Sequence, residues 1–288
     1  MPHFLDIAVG TVTMRPYVFV FFAAFLLACV PHFGWRRTLQ FTVAGYLIAF
    51  SSEWLSINTG FPYGWYYYID TTSKRELWVA GVPFFDSLSY VFLTYCSYAT
   101  ALFILSPLKA WRWNVVTLET REIRLSFAAL LLGALLQTFL DIIIDPVALQ
   151  GNRWFLGQIY GYREQGIHFG VPLSNYGGWL LTSLLLVGAF QVINSRRTVA
   201  APKGTSNFPF LSLLGPLLYL CVLIFNIAIM LLIGERLMAV SGLFLCTLPV
   251  LIVMILAFRR VNRYSREELG EHLRDYPWSA AKKKSNKN

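Results

Sequence analysis

The chain of 288 residues is 56% hydrophobic and only 14% charged, where soluble domains carry about 25% charged residues. That excludes an ordinary soluble globular protein and points to one embedded in a membrane. Its formal net charge of +9 comes mostly from the stretch after Phe258, which has no aromatic-interleaved basic motif, so nucleic-acid binding is excluded and anionic lipid headgroups are its expected partner.

Seven apolar stretches follow one another, each near the roughly 20 residues needed to cross a bilayer: Pro16 to Val30, Leu39 to Leu55, Phe84 to Leu105, Arg124 to Ile144, Tyr176 to Ile193, Phe208 to Ile233 and Leu237 to Phe258. The expected fold class is all-α, a polytopic transmembrane helix bundle of about seven spans. Residues 1–258 form the membrane domain, and residues 259–288 form a basic, disordered cytoplasmic tail. Placing the tail in the cytoplasm puts most of the 24 lysines and arginines on that side, as the positive-inside rule requires. The N-terminus is then outside, in a prokaryotic cytoplasmic membrane.

The first span contains no acid. Its Leu26-Leu27-Ala28-Cys29 loosely resembles a lipoprotein cleavage signal, but only Arg15 precedes it as a basic residue, so the span reads as retained. The second span carries Glu53 near its outer end, followed by an aromatic, glycine-rich loop with Tyr66 and Tyr68. A carboxylate at that depth needs a partner, a proton or a water-filled cavity; otherwise it snorkels at the interface, with the tyrosines as an aromatic belt. Asp86, at the start of the third span, reads as an acid interacting with a helix N-terminus. The basic connection from Ser106 to Arg124, with Trp111 and Trp113, reads as an interfacial anchor.

The fourth span brings Gln137, Asp141 and Asp145 at four-residue spacing, which stacks them on one helix face. Pro146 is expected to end that helix. A charge in hydrocarbon costs several kcal/mol, so such carboxyls read as functional. After a polar connection carrying Trp154, the fifth span opens with Asn175 and Trp179. The topology puts Glu53, Asp141, Asp145 and Asn175 at one level of the membrane. The last two spans contain no Asp or Lys and read as packing helices.

Other chemistries lack their residues. The four cysteines all fall in spans, without disulfide or metal-site spacing, and the four histidines include no close pair. A histidine-box di-iron oxygenase is thereby excluded, and the seventh span has no lysine for a retinal Schiff base. The spacing of Gln137, Asp141 and Asp145 faintly echoes the aspartate motif of Mg-dependent membrane prenyltransferases, but a second acidic motif is missing.

Taken in order, Glu53, Gly60-x-Pro62-x-Gly64-x-Tyr66-x-Tyr68, Gly81-Val82-Pro83, Asp141-x3-Asp145-Pro146, Trp154 and Phe169-Gly-Val-Pro-Leu-Ser-Asn175-Tyr-x-Gly178-Trp179 resemble the CruF-type carotenoid biosynthesis membrane proteins. The family pattern is departed from at Asp86, Tyr90, Leu156 and His168. The resemblance implies a carotenoid 1,2-hydratase, such as those acting on gamma-carotene or bisanhydrobacterioruberin, with a lipid-soluble carotenoid as partner and no cofactor or metal. Hydrating a terminal alkene needs an acid, a base-held water and cation stabilisation. The expected catalytic residues are Asp141 as proton donor and Asp145 or Glu53 orienting water, with Asn175 nearby; Tyr66, Tyr68, Trp154 and Trp179 line the pocket. The alternatives are a protein that binds carotenoid or another polyisoprenoid without changing it, and the prenyltransferase.

Overall fold

A computed structural model of the protein describes residues 4–111, 114–195, 210–277 and 279–282. Among them, six helices are long and apolar enough to cross a membrane. Short α1 (Phe4–Met14) leads into α2 (Pro16–Phe33), whose first position is a proline with φ already suited to a helix. Gly34, at φ +88°, turns the chain into α3 (Trp35–Thr59). This helix, at 25 residues, spans roughly 37 Å but is less apolar than the other six, because Arg36, Arg37 and Glu53 interrupt it. It ends at Gly60 in the left-handed conformation, whose N–H closes onto the Ser56 carbonyl at 2.8 Å.

The next connection forms strands β1 (Tyr66–Tyr68), β2 (Trp78–Val79) and β3 (Val82–Pro83), the last two paired as a small hairpin. Helix α4 (Phe84–Leu105) stops at Ser106, which Pro107 forces into an extended conformation. A second hairpin, β4 (Leu108–Trp111) with β5 (Asn114–Thr117), leads to the single turn α5 (Arg121–Arg124). Ser126 then caps α6 (Phe127–Leu149) by accepting the Ala129 N–H at 3.0 Å. Strand β6 (Tyr160–Tyr162) precedes α7 (Leu173–Asn194), and α8 (Leu211–Leu232) follows.

The final span is broken into α9 (Arg236–Gly242), a π-turn over Leu243–Thr247 and α10 (Leu248–Ala257). The widened turn ends one residue short of Pro249, which lies in the first turn of α10 and has no N–H to continue the ordinary ladder. In α6, by contrast, Pro146 lies inside the helix, which runs on to Leu149. It falls in the last turn, where one missing bond is tolerated, so the expected stop is displaced by three residues.

Helix α4 is the hub. Of its apolar window 89% is buried, against 28% for α2, because α2, α3, α6, α7 and α8 all pack on it. Small residues allow the closest approaches: a Cβ at Gly133 of α6 would meet the Tyr98 Cα at 3.5 Å, and one at Gly215 of α8 would meet the Ala99 Cβ at 2.3 Å.

The two ends of the bundle differ. At one end lie α1 and the connections carrying β1 and β6. At the other, α11 (Arg266–Asp275) is a capped helix in which Ser265 and Glu268 form a reciprocal capping box. The chain after Phe258 was expected to be disordered; its described residues up to Lys282 are instead docked. Lys109 donates to the Ala281 carbonyl at 2.6 Å, Arg124 pairs with Asp275, and Glu119 bonds both His32 (2.8 Å) and Tyr276 (3.2 Å). The terminal lysines after Lys282, Trp113, and the expected first two residues of the sixth span, Phe208 and Pro209, lie outside the described residues.

Candidate functional site

Two sequence-distant strands build one wall of the site. β1 pairs antiparallel with β6, aligning Tyr66 with Tyr162, Tyr67 with Gly161, and Tyr68 with Tyr160. Side chains alternate along a strand, so Tyr66, Tyr68, Tyr160 and Tyr162 share the inward face, while Tyr67 points out at 47% exposure. The four inward rings touch edge-on or tilted, with centroids 5.3 to 6.4 Å apart. Burial, reinforced by the Asp145 charge, holds the Tyr160 hydroxyl well above the ordinary phenol range, and the Tyr162 hydroxyl likewise. Both remain hydrogen-bond donors at neutral pH.

They donate to one carboxyl. Tyr160 reaches Asp145 Oδ1 at 2.6 Å and Tyr162 reaches Oδ2 at 2.5 Å. The Asn175 amide of α7 adds a third bond to Oδ2 at 2.7 Å and also bridges to Asp141 Oδ2 at 2.8 Å. The four-residue spacing on α6 thus does place Asp141 and Asp145 on one face, joined through Asn175.

A cavity of about 120 Å³ opens beside Asp145. Of the residues expected at the site, Glu53, Tyr66, Tyr68, Asp145, Trp154, Asn175 and Trp179 all line it. Asp141 does not. It is fully buried one turn deeper, with Oδ1 unpartnered among the described residues, as are both amide atoms of Gln137. Trp179 stacks parallel on Tyr90 of α4, 4.3 Å apart at 2°, and the Trp154 indole N–H bonds the Val147 carbonyl at 3.0 Å.

Facing Asp145 are two more acids. Glu53 accepts from the Ser87 hydroxyl, and Asp86 accepts from Tyr68 at 2.6 Å. Asp86 does sit in the first turn of α4, as a helix-start acid should, but its side chain also lines the cavity. Asp86 interacts electrostatically with both Glu53 and Asp145. Among the described residues no Lys, Arg or His is ion-paired with Glu53, Asp86, Asp141 or Asp145; hydroxyls and one amide serve them instead.

Sequence reasoning missed Tyr160, Tyr162, Asp86 and Arg15. The Tyr-Gly-Tyr of β6 repeats the two-residue alternation of Tyr66 and Tyr68, and that shared period was the available signal. Arg15 is buried among the roof connections, paired bidentately with Glu76 at 3.0 Å for both bonds, and it donates to the Leu156 carbonyl as well. Its guanidinium lies 4.6 Å from the centre of the Phe85 ring. Since Phe85 and Leu156 line the cavity, this arginine ties both roof connections to α4.

A protein-family model described as "Carotenoid biosynthesis protein" matches residues 13–249, most of the chain. The chain belongs to this carotenoid biosynthesis family. Neither a curated protein nor a solved structure gives a significant match. The matched stretch contains every cavity-lining residue, so the acid-lined, aromatic cavity belongs to an integral membrane protein of carotenoid biosynthesis.

Proposed function

We propose that the protein hydrates the terminal C1–C2 double bond of an acyclic carotenoid end group to a tertiary alcohol. The observation that carries this reading is the unlike provisioning of two acids lining one small aromatic cavity. Asp145 takes three donors, which favours its ionised form relative to an acid with fewer donors. Glu53 takes the Ser87 hydroxyl on one oxygen, with Tyr68 as its one other hydroxyl partner, so it has fewer donors than Asp145 and is the acid assigned the proton.

In this scheme Glu53 protonates C2, the C1 tertiary cation forms, and water held by Asp145 adds to C1 while its proton passes to Asp145. That proton returns to Glu53 across the cavity, where Asp86 and Tyr68 lie. No redox change occurs. This replaces Asp141 as proton donor, since Asp141 is outside the cavity and acts through Asp145, which it contacts both directly and by way of Asn175. Aromatic faces near a desolvated cation contribute about 2 kcal/mol or more per contact, and the stacked Tyr90 and Trp179 with Tyr66 supply them. The distribution of basic residues supports placing the site at the outer face of the membrane.

The test is expression in a host that accumulates lycopene and gamma-carotene, followed by mass analysis of the pigments. The expected result is a gain of one water for each acyclic end that reacts, with the conjugated absorption unchanged, because the reacting bond is isolated from the polyene. Unaltered pigments in membranes containing well-expressed protein overturn the proposal.

A further inference from the structure

The cavity is small for the molecule proposed to react in it. Its volume of about 120 Å³ lies below the roughly 300 to 1,000 Å³ of pockets that enclose drug-sized ligands. It is closer to the ~150 Å³ void that holds one benzene. It accommodates a branched end group of about five or six carbons and leaves the polyene behind it outside.

The walls decide where that polyene lies. α3, α4, α6 and α7 pack against one another around the acids, and the paired strands β1 and β6 with their tyrosines form the roof. The side between α2 and α8 is different. Tyr17 and Phe21 of α2 and Phe225 of α8 line the cavity yet are only half-buried. Beside them Val20 is 65% exposed, and Cys221 and Ala228, one turn either side of Phe225, are exposed too. An apolar surface on helices of this length faces lipid. What separates it from the acids is a set of ring contacts: Tyr17 stacks on Phe225 at 5.5 Å and 18°, and Phe21 meets Phe225 edge-on at 5.6 Å and 83°.

Resting on the hydration reading, we infer that the seam between α2 and α8 is a lateral portal for the carotenoid. The end group passes from the bilayer between Phe225 and the pair Tyr17 and Phe21, and the polyene stays in the seam and the lipid during reaction. The protein therefore reads one end of its substrate at a time and is indifferent to whether the far end is cyclic or acyclic.

The experiment uses native Cys221 as a handle. A thiol-reactive benzophenone is attached there, in membranes containing lycopene, and the protein is irradiated and analysed for a carotenoid adduct. The control is a Cys221→Ala protein labelled instead through Ile252→Cys on α10, a lipid-facing position 55% exposed. A second arm bridges Cys221 to Ala24→Cys with a bifunctional thiol reagent, with the unbridged double-cysteine protein reporting on folding. The portal predicts an adduct at Cys221, none at position 252, and loss of the water gain on bridging. Equal labelling at both positions, or unchanged hydration after bridging, overturns it. An adduct confined to Cys221 without any hydration by the wild type keeps the portal and sinks the hydration reading; neither adduct nor hydration sinks both.

Discussion

Asp145 and Asp141 are neighbours on one helix face with opposite relations to the cavity, and substitution separates them. Asp145→Asn removes the proposed base and should lower turnover by about 10²- to 10⁴-fold, read as converted pigment per inserted protein. Asp141→Asn should cost less, because Asp141 lies outside the cavity and acts only through its bonds to Asp145 and Asn175; an equal loss would return the proton donor to Asp141. Tyr160→Phe and Tyr162→Phe each delete a hydrogen bond to a charged group, worth about 1.5 to 3 kcal/mol, and should each slow the reaction about ten- to hundred-fold. Glu53, Asp141 and Asp145 were legible in the sequence because carboxyls in an apolar run have few structural explanations. Tyr160 and Tyr162 were not, since the Tyr-Gly-Tyr alternation is only three residues long and its strand partner lies more than ninety residues earlier. Asp86 was read only in part for a related reason: it is the helix-start acid expected, such acids are common, and only the tertiary approach of Tyr68 shows that it also lines the cavity.

Among the elements, α7 is positioned by a glycine that has no room for a side chain. A Cβ at Gly178 would meet the Pro62 carbonyl oxygen and Tyr63 Cδ1, each at 2.6 Å, whereas one at Gly177 meets nothing within 4 Å. Gly178→Ala should therefore destabilise the protein by about 1 to 3 kcal/mol and push Tyr63 from the cavity wall, while Gly177→Ala, at an exposed helical position, should stabilise the protein slightly against thermal unfolding in detergent, by up to about 1 kcal/mol. The long helices were readable from apolar length alone. Their irregularities required more: the π-turn before Pro249 and the continuation of α6 through Pro146 depend on where along a helix the missing N–H falls. The order in α11 was signalled by Ser265 and Glu268 at capping-box spacing, a local cue outweighed by the basic composition around it.

At the scale of the whole molecule, the two ends are held by different chemistry. The end bearing α11 is pH-dependent. His272 is buried between the Glu119 carbonyl and Ser279, and burial pushes its imidazole down from 6.5 to about 4. The neutral ring's contribution is fully present above pH 6.5 and is lost as pH falls towards 4, because the undocked chain takes up the proton first. Lowering the pH from 7 to 5 should weaken docking by about 2 kcal/mol, seen as faster hydrogen exchange in α11, and His272→Phe should flatten that slope. The acid-lined end relies on the Arg15–Glu76 pair, both partners at most 2% exposed. Removing one charge leaves the other buried and unpaired, so Arg15→Met or Glu76→Gln should each cost about 3 to 5 kcal/mol. Replacing both by methionine should recover much of that loss in a double-mutant cycle.

The same arginine sets a schedule for assembly. Its partners lie 61 and 141 residues further along the chain, so a ribosome delivers Arg15 long before Glu76, and Glu76 long before Leu156. Until then the guanidinium must wait in water or among headgroups. The cavity can close only after α6 is in the membrane, and the earlier helices remain a half-built enclosure without chemistry while synthesis continues.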